Sequence, residues 1–238
     1  MNKEKASSDV FLCVLAHELK SPLNAVGGYL DMMSRSTLGN DISAYSEMIS
    51  RSMLRLEAMK SMISEIMLLR LLDSGMRIGA LSEMDIVDMA SSVSSDFLPE
   101  ATKRDIKINP VGENAPLMMK CYPSEVRIIL SNLVSNAIKY NCEGGSVDIN
   151  IEKTTDSVII NVADTGIGIS PDDLKRLFNE FVRIKNEKTR KTEGSGLGLF
   201  IVKRLCGLYN GSVSVESTLG KGSVFTVCFP LQPVHKKD

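Results

Sequence analysis

Apolar residues in the first third of the chain recur in alternating steps of four and three. Leu12, Ala16, Leu19, Leu23, Val26, Leu30 and Met33 keep that rhythm. This is the a/d seam of a heptad repeat, and it predicts a helix from about Ser8 to Arg35. Pro22 falls inside it and is expected to bend the helix or remove one backbone hydrogen bond near Glu18. Thr37-Leu38-Gly39-Asn40-Asp41 breaks the pattern, with Asp41 or Ser43 placed to cap a second helix from about Ile42 to Leu72. Ile49, Met53, Leu56, Met59, Ile63 and Ile66 make its stripe. Two long helices with a short connection form an antiparallel hairpin. A hairpin alone does not enclose both stripes, so the pattern predicts a homodimer in which two hairpins pair as a four-helix bundle. Packing of the stripes on the rest of the same chain is the alternative.

After Asp73-Ser74-Gly75 the texture changes. Residues 84–104 read as a helix, and Ile106–Ile108 and Leu117–Met119 as short strands. Pro123 to Tyr140 reads as another helix, with Val126, Ile129, Leu130, Leu133, Val134 and Ile138 on its apolar side. Val147–Ile151 and Ser157–Val162 are strands joined by a polar turn at Lys153–Asp156. Ser170 caps a short helix opened by Pro171. Leu197 to Leu208 is a helix, and Ser212–Glu216 and Ser223–Phe229 close the region as a hairpin around Leu219–Gly222. The expectation is an α+β fold. It divides into a helical hairpin at 1–75, a linker at 76–80, a layered second domain at 81–232 and a polar tail at 233–238.

Composition narrows this only a little. A net charge of −1 gives no reason to expect nucleic acid or a membrane surface as a partner. The apolar runs are too short and too interrupted to span a bilayer, and the polar start Met1–Lys5 is no signal peptide. The five cysteines are scattered without a CxxC pair, which argues against a disulfide framework or a zinc site. Reduced thiols in a cytoplasmic setting are the expectation.

The chemistry concentrates between Asp164 and Leu199. Asp164-Thr165-Gly166-Ile167-Gly168-Ile169 and Gly194-Ser195-Gly196-Leu197-Gly198-Leu199 are two glycine clusters flanking a charged, polar run. Glycine admits close backbone approach, and glycines opening an apolar helix leave N–H groups free for a phosphate. Neither cluster has the dinucleotide fingerprint or a Walker A loop, and each alone is most simply a turn. The helix before them adds what they lack. Asn132, Asn136 and Lys139 fall on one face by i, i+4 and i+7 spacing. Asparagine is a poor helix former, so a polar stripe there needs a reason. An Asn carbonyl suits a hard cation such as Mg²⁺, and a Lys suits phosphate.

In this order Asn132–Tyr140, Asp164–Ile169, Phe178-x-x-Phe181 and Gly194–Leu199 resemble the N, G1, F and G2 boxes of sensor histidine kinases. Their ATP-binding domain is of the GHKL type, shared with DNA gyrase and MutL. His17-Glu18-Leu19-Lys20-Ser21-Pro22-Leu23 resembles the H box of the same kinases. The resemblance covers almost the whole chain. It implies that Asp164 bonds the exocyclic amine of adenine and that Gly166 and Gly168 pass under the base. Asn136 would coordinate Mg²⁺, Asn132 would support the phosphate side, Lys139 would contact phosphate, and Tyr140 would lie beside the nucleotide. Gly194, Ser195, Gly196, Leu197 and Gly198 would open a helix over the phosphates. Arg183 matches an arginine that reaches the γ-phosphate in some members, and Thr226 matches a hydroxyl near the adenine. Residues 170–193 would form an ATP lid carrying Lys185, Lys188, Arg190 and Lys191 as well as Arg183.

The resemblance also implies that His17 attacks the γ-phosphate of Mg-ATP and becomes phosphohistidine. Glu18 would orient the ring or take its proton. The phosphoryl group would then pass to an aspartate of a response-regulator receiver domain. Where members that dephosphorylate their regulator carry Thr or Asn, this chain has Ser21, which keeps a hydroxyl and loses the methyl that restricts it. His235, in the polar tail, has no competing claim. No sensor or membrane segment precedes Met1, so the reading is a cytoplasmic core or a part cut from a longer receptor. An ATP-driven clamp like other GHKL proteins, and a non-catalytic dimeric scaffold that binds nucleotide structurally, are the competing readings.

Overall fold

The computed structural model describes residues 2–39, 41–110, 116–184, 189 and 194–231, with side chains of residues 2–13 and 110 left aside. The chain divides into two compact units that part at Leu68 and Leu69. The first is the helical hairpin. Helix α1 (Asn2–Ser34) runs unbroken through Pro22. A 3₁₀ turn (Ile42–Tyr45) leads into α2 (Ser46–Asp73), so the second helix starts one turn later than its apolar pattern suggests. Asp41 caps that turn by accepting from the Ser43 N–H at 2.9 Å. Buried Tyr45 closes the connection: its hydroxyl accepts from the Leu38 N–H and donates to the Gly39 carbonyl, both at 2.8 Å. Ser36, with φ of 48°, ends α1 in the left-handed region usually given to glycine or asparagine.

The seam is only partly covered within one chain. Val26 and Met62 are buried, yet Leu30 is 57% and Met53 64% exposed. Leu23, Ile49, Leu56 and Ile63 of the same stripes also stand in solvent. At its other end α2 stops by a Schellman closure. The Gly75 N–H donates to Leu72 and the Met76 N–H to Leu71, with Gly75 at φ of 77°.

The second unit is a sheet covered on one face by helices. Strands β2 (Lys107–Pro110), β4 (Ser146–Lys153), β5 (Ser157–Asp164), β7 (Gly222–Pro230) and β6 (Ser212–Thr218) lie in the order β2-β4-β5-β7-β6. All neighbours are antiparallel except β2 with β4, which is parallel. Alternation sets the two faces. Val147, Ile149, Ile151, Val158, Ile160, Val162, Phe225, Val227 and Phe229 point one way and are buried. Helices α3 (Ile86–Thr102), α4 (Pro123–Lys139) and α6 (Gly198–Leu208) pack on that side, and a single-turn α5 (Pro171–Leu174), capped by Ser170, lies between α4 and α6 in the chain. The other face carries Asn109, Asp148, Asn161 and Thr226, hydrogen-bonded in pairs across the strands.

A separate pair of strands, β1 (Ser82–Asp85) and β3 (Met118–Cys121), runs antiparallel beside them. The apolar pattern puts residues 84 and 85 in the following helix; they are strand because β3 pairs with them, and the helix starts at Ile86. Asp85 makes the corner, accepting from the Val87 and Leu117 N–H groups at 3.0 Å each. Helix α4 is the centre of the unit: Val126, Ile129, Leu130, Leu133, Val134, Ala137 and Ile138 are all buried. Each large apolar side chain removed from water there contributes roughly 1.5–3 kcal/mol.

Two glycines report how tightly the turns close. A Cβ on Gly222, whose φ is 106°, would lie 1.9 Å from the Asp164 carbonyl oxygen. On Gly207, in the last turns of α6, it would meet nothing within 4 Å. Gly222→Ala is therefore expected to cost about 2 kcal/mol or more, and Gly207→Ala to stabilise by about 0.5 kcal/mol or more. Urea unfolding of the two variants checks both signs.

Candidate functional site

The end of β5 and the loop after it are held by backbone rather than by bulk. The Asp164 carboxylate accepts from the Gly166 N–H at 2.8 Å. Burial pushes this carboxyl up to about 6, although bonds from Gly166 and from the backbone and hydroxyl of Ser223 work against the rise. A carboxylate held partly desolvated, with few partners for its charge, is set to receive a donor from a ligand. The loop is pinned from three sides. Ile167 N–H donates to the Tyr140 carbonyl at 3.1 Å, Gly220 N–H to the Ile167 carbonyl at 2.8 Å, and Ile169 N–H to the Ser217 hydroxyl at 2.8 Å. Gly166 leaves no room for a side chain, since its Cβ would lie 2.3 Å from the Tyr140 carbonyl oxygen. Gly168, at φ of 64°, would meet the Thr218 carbonyl oxygen at 2.1 Å.

Helix α4 presents Asn132, Asn136 and Lys139 on its half-exposed side, opposite the buried apolar one. The Asn132 amide donates to the Ile128 carbonyl at 2.9 Å. Its oxygen lies 2.3 Å from where a Cβ on Gly198 would stand, so a side chain at the first residue of α6 would push the Asn132 carboxamide aside. Tyr140 caps the helix; burial pushes its hydroxyl up, and the nearby Arg183 charge opposes that. Gly196, at φ of 76°, approaches the backbone of Phe181, itself at φ of 57°. The structure thus gathers Asp164, Gly166, Gly168, Asn132, Asn136, Lys139, Tyr140, Arg183, Gly196, Leu197 and Gly198 within the sheet unit. Gly194 and Ser195 fall outside that unit, and a Cβ on Gly194 would meet nothing. Lys185, Lys188, Arg190, Lys191 and His235 lie outside the described residues.

One expected residue is misplaced. Thr226 points to the open face of the sheet, where its hydroxyl donates to the Asn161 side-chain oxygen at 2.7 Å. Asp164 keeps the parity of Val162, toward the helices. The hydroxyl on that side is buried Ser223, which pairs with Asp164 across the ladder and bonds its carboxylate. The odd offset between positions 223 and 226 is enough to swap faces, and a strand-parity count from Phe225 puts Ser223 on the side of Asp164.

Two further residues escape sequence reasoning. The Arg104 guanidinium donates to the Ile138 carbonyl, to Lys139 at 3.1 Å and to Asn141 at 2.9 Å, closing the C-terminus of α4. Buried Asn141 takes the Cys142 N–H at 2.9 Å and the Thr165 hydroxyl at 3.3 Å, and donates to the Ser146 carbonyl at 2.9 Å. It ties the end of α4 to the loop after Asp164.

In the hairpin unit, His17 is exposed on α1 and Glu18 is half-buried. Successive helical side chains diverge by about 100°, so the two present different sides. Ser21 is exposed one turn after His17 and shares its face.

Comparison with known proteins agrees with this division. The His Kinase A phospho-acceptor domain family matches residues 8–75. The histidine kinase-, DNA gyrase B- and HSP90-like ATPase family matches residues 121–233. The sensor histidine kinase RppB of Synechocystis is 33% identical over 223 residues, covering 93% of this chain and 48% of that protein. The sensor-like histidine kinase SenX3 of Mycolicibacterium smegmatis is 32% identical, covering 94% and 57%. The chain therefore spans about half the length of the curated relatives it matches. Among solved structures, the histidine kinase AdeS of Acinetobacter baumannii superposes with a TM-score of 0.73 at 19% identity, over 91% of this chain and 98% of that one. Full-length ShkA in complex with AMPPNP superposes at 0.68 with 28% identity, over 94% and 46%. The histidine kinase ThkA, in complex with the response regulator protein TrrA, gives 0.78 at 21% identity, over 99% and 65%. The chain belongs to the histidine kinases and comprises their catalytic core, a phospho-acceptor hairpin followed by a GHKL-type ATPase domain.

Proposed function

We propose that the chain phosphorylates its own His17 from Mg-ATP and passes the phosphoryl group to a response-regulator aspartate. The observation that carries this is the set of groups around Asp164: a partly desolvated carboxylate beside glycines too crowded for side chains, with the Asn132, Asn136 and Lys139 stripe on the adjoining helix. Asp164 accepts the adenine amine, while Gly166 and Gly168 keep the base's path clear. Lys139 and Arg183 offset phosphate charge. The donor set fits Mg²⁺. The half-exposed Asn136 carries an amide oxygen, a ligand suited to a hard cation held mainly through substrate phosphates. Asn136 would supply that oxygen, and the ion would neutralise charge on the phosphates.

Exposed His17 attacks the γ-phosphorus with a ring nitrogen lone pair. The bond to the bridging oxygen breaks, ADP leaves, and the proton on the other ring nitrogen passes to Glu18, whose side chain turns toward the ring across the roughly 100° between successive helical positions. Ser21, on the same face, carries the hydroxyl that would orient a water if the chain also dephosphorylates its regulator. The regulator partner is supported by the ThkA complex, the nucleotide by the ShkA complex. The exposed seam of the hairpin supports a homodimer, since leaving Leu23, Leu30, Met53 and Ile63 in water is unfavourable. No described helix is long and apolar enough to cross a membrane.

Three outcomes are expected. With γ-labelled ATP, His17→Gln loses the acid-labile, base-stable label at least a hundredfold; a label that survives refutes the acceptor. Leu30→Glu shifts the chain toward monomer in sedimentation velocity, whereas an unchanged sedimentation coefficient contradicts the seam. The third is a pH dependence. With Asp164 ionising near 6, affinity for an adenine nucleotide falls about tenfold between pH 7.5 and pH 5, while Asp164→Asn binds weakly at both. The folded value lies above the ordinary 3.8, so folding takes up a proton. That contribution to stability is full below about 4 and lost as pH rises through about 6. At pH 7 Asp164→Asn, whose side-chain oxygen still accepts from Gly166, should unfold at no lower temperature than the parent; calorimetry checks this.

A further inference from the structure

The connector that follows the histidine hairpin is fastened two residues beyond Gly75. The Arg77 guanidinium lies between two aromatic rings, 4.2 Å from the Tyr122 centroid and 4.6 Å from that of Tyr209. Its Nε donates to the two Glu125 oxygens at 2.9 and 3.1 Å, and its Nη2 donates to Oε2 at 2.6 Å. The Ile78 N–H adds a bond to Glu125 Oε1 at 3.0 Å. The Tyr209 hydroxyl in turn accepts from the Tyr122 N–H at 3.0 Å. The Glu125 side chain is fully buried. Burial pushes its carboxyl up, but the Arg77 and Ile78 bonds more than offset this and hold it below the ordinary value.

The position of this cluster matters more than its strength. Glu125 sits in the first turn of α4, seven residues before Asn132, roughly 10 Å along the helix. Tyr209 caps the far end of α6. The start of α6 meets the middle of α4 where Gly198 crowds the Asn132 side chain. Arg77 therefore clamps the ends of α4 and α6 that point away from the phosphate motifs, and it does so from the connector itself.

We propose that Arg77 is a positioning residue for phosphoryl transfer, fastening the connector after Gly75 to the α4–α6 pair through Glu125, Tyr122 and Tyr209. This rests on the kinase reading above. Arg77 acts through the connector and touches no nucleotide. A pair that merely holds the fold together would lower stability, nucleotide affinity and labelling in step.

The test uses the full chain with Arg77→Ala and Arg77→Lys. Three readouts are compared with the parent: dissociation constant for a fluorescent ATP analogue, single-turnover labelling rate of His17, and hydrogen exchange at the Ile78 amide. Expected for Arg77→Ala are an affinity within threefold, a labelling rate at least tenfold lower, and Ile78 exchange at least tenfold faster with the α4 amides still protected. Arg77→Lys keeps the charge without the fork and recovers part of the rate. A labelling loss matched by loss of affinity or of folded protein overturns the proposal, as does unchanged Ile78 exchange. If Arg77→Ala does not fold, Arg77→Met with Glu125→Leu replaces it. That pair buries no lone charge and still deprives the Ile78 N–H of its acceptor, so the same split is expected. Absence of label in the parent chain refutes the kinase reading separately, and the Ile78 exchange then decides the fastening by itself.

Discussion

At the end of β5, backbones come closer together than side chains allow. The Asp164 carbonyl faces Gly222 and the Tyr140 carbonyl faces Gly166, each too near for a Cβ. This crowding brings three elements distant in sequence to one point: the end of α4, the loop after Asp164 and the β6–β7 hairpin. It also removes water from one side of the Asp164 carboxylate without giving it a cation. The raised ionisation of Asp164 and the exclusion of side chains at Gly166 and Gly222 have a single cause. Hydrogen bonds from the Ile167, Ile169 and Gly220 N–H groups hold the loop in this crowded course.

Helix α4 carries that constraint to the phosphate side. Its buried face is fixed by Val126 through Ile138, so its polar stripe cannot rotate away. Both ends are held by arginines from outside the helix, Arg77 through Glu125 and Arg104 through the last carbonyls. Asn141 then links the helix end to Thr165. Asn136 and Asp164, 28 positions apart in the chain, therefore belong to one rigid frame. Rigid placement of groups that bind different parts of one ligand reduces the ordering cost of binding it.

Much of this was legible in the sequence, for local reasons. The heptad seam and the α4 stripe are helical periodicities, and Pro123, Ser170 and the Gly220–Gly222 turn are local chain chemistry. The two glycine clusters stood out because glycine is costly wherever it is not needed. What escaped was non-local. Strand β1 exists because Cys121 and its neighbours pair with it, and its own residues resemble the helix that follows. The parallel pairing of β2 with β4 has no local signature. Arg104 and Asn141 looked like ordinary polar residues, since their partners are carbonyls placed by the fold. Thr226 and Ser223 lie three apart on one strand and so take opposite faces, a distinction that residue type alone does not carry.

The central claim is that adenine and phosphates engage two linked but separate parts of one frame. It is tested most directly by nuclear magnetic resonance of the sheet unit's residues during stepwise titration, first with adenosine and then with Mg-AMPPNP. The account predicts that adenosine shifts the amides of Gly166, Gly168 and Ser223. The triphosphate should then add shifts at Asn132, Asn136, Lys139 and Gly198, with Thr226 and Asn161 quiet throughout. Shifts centred on the open face of the sheet, or a triphosphate response that spares Asn136 and Lys139, would contradict it.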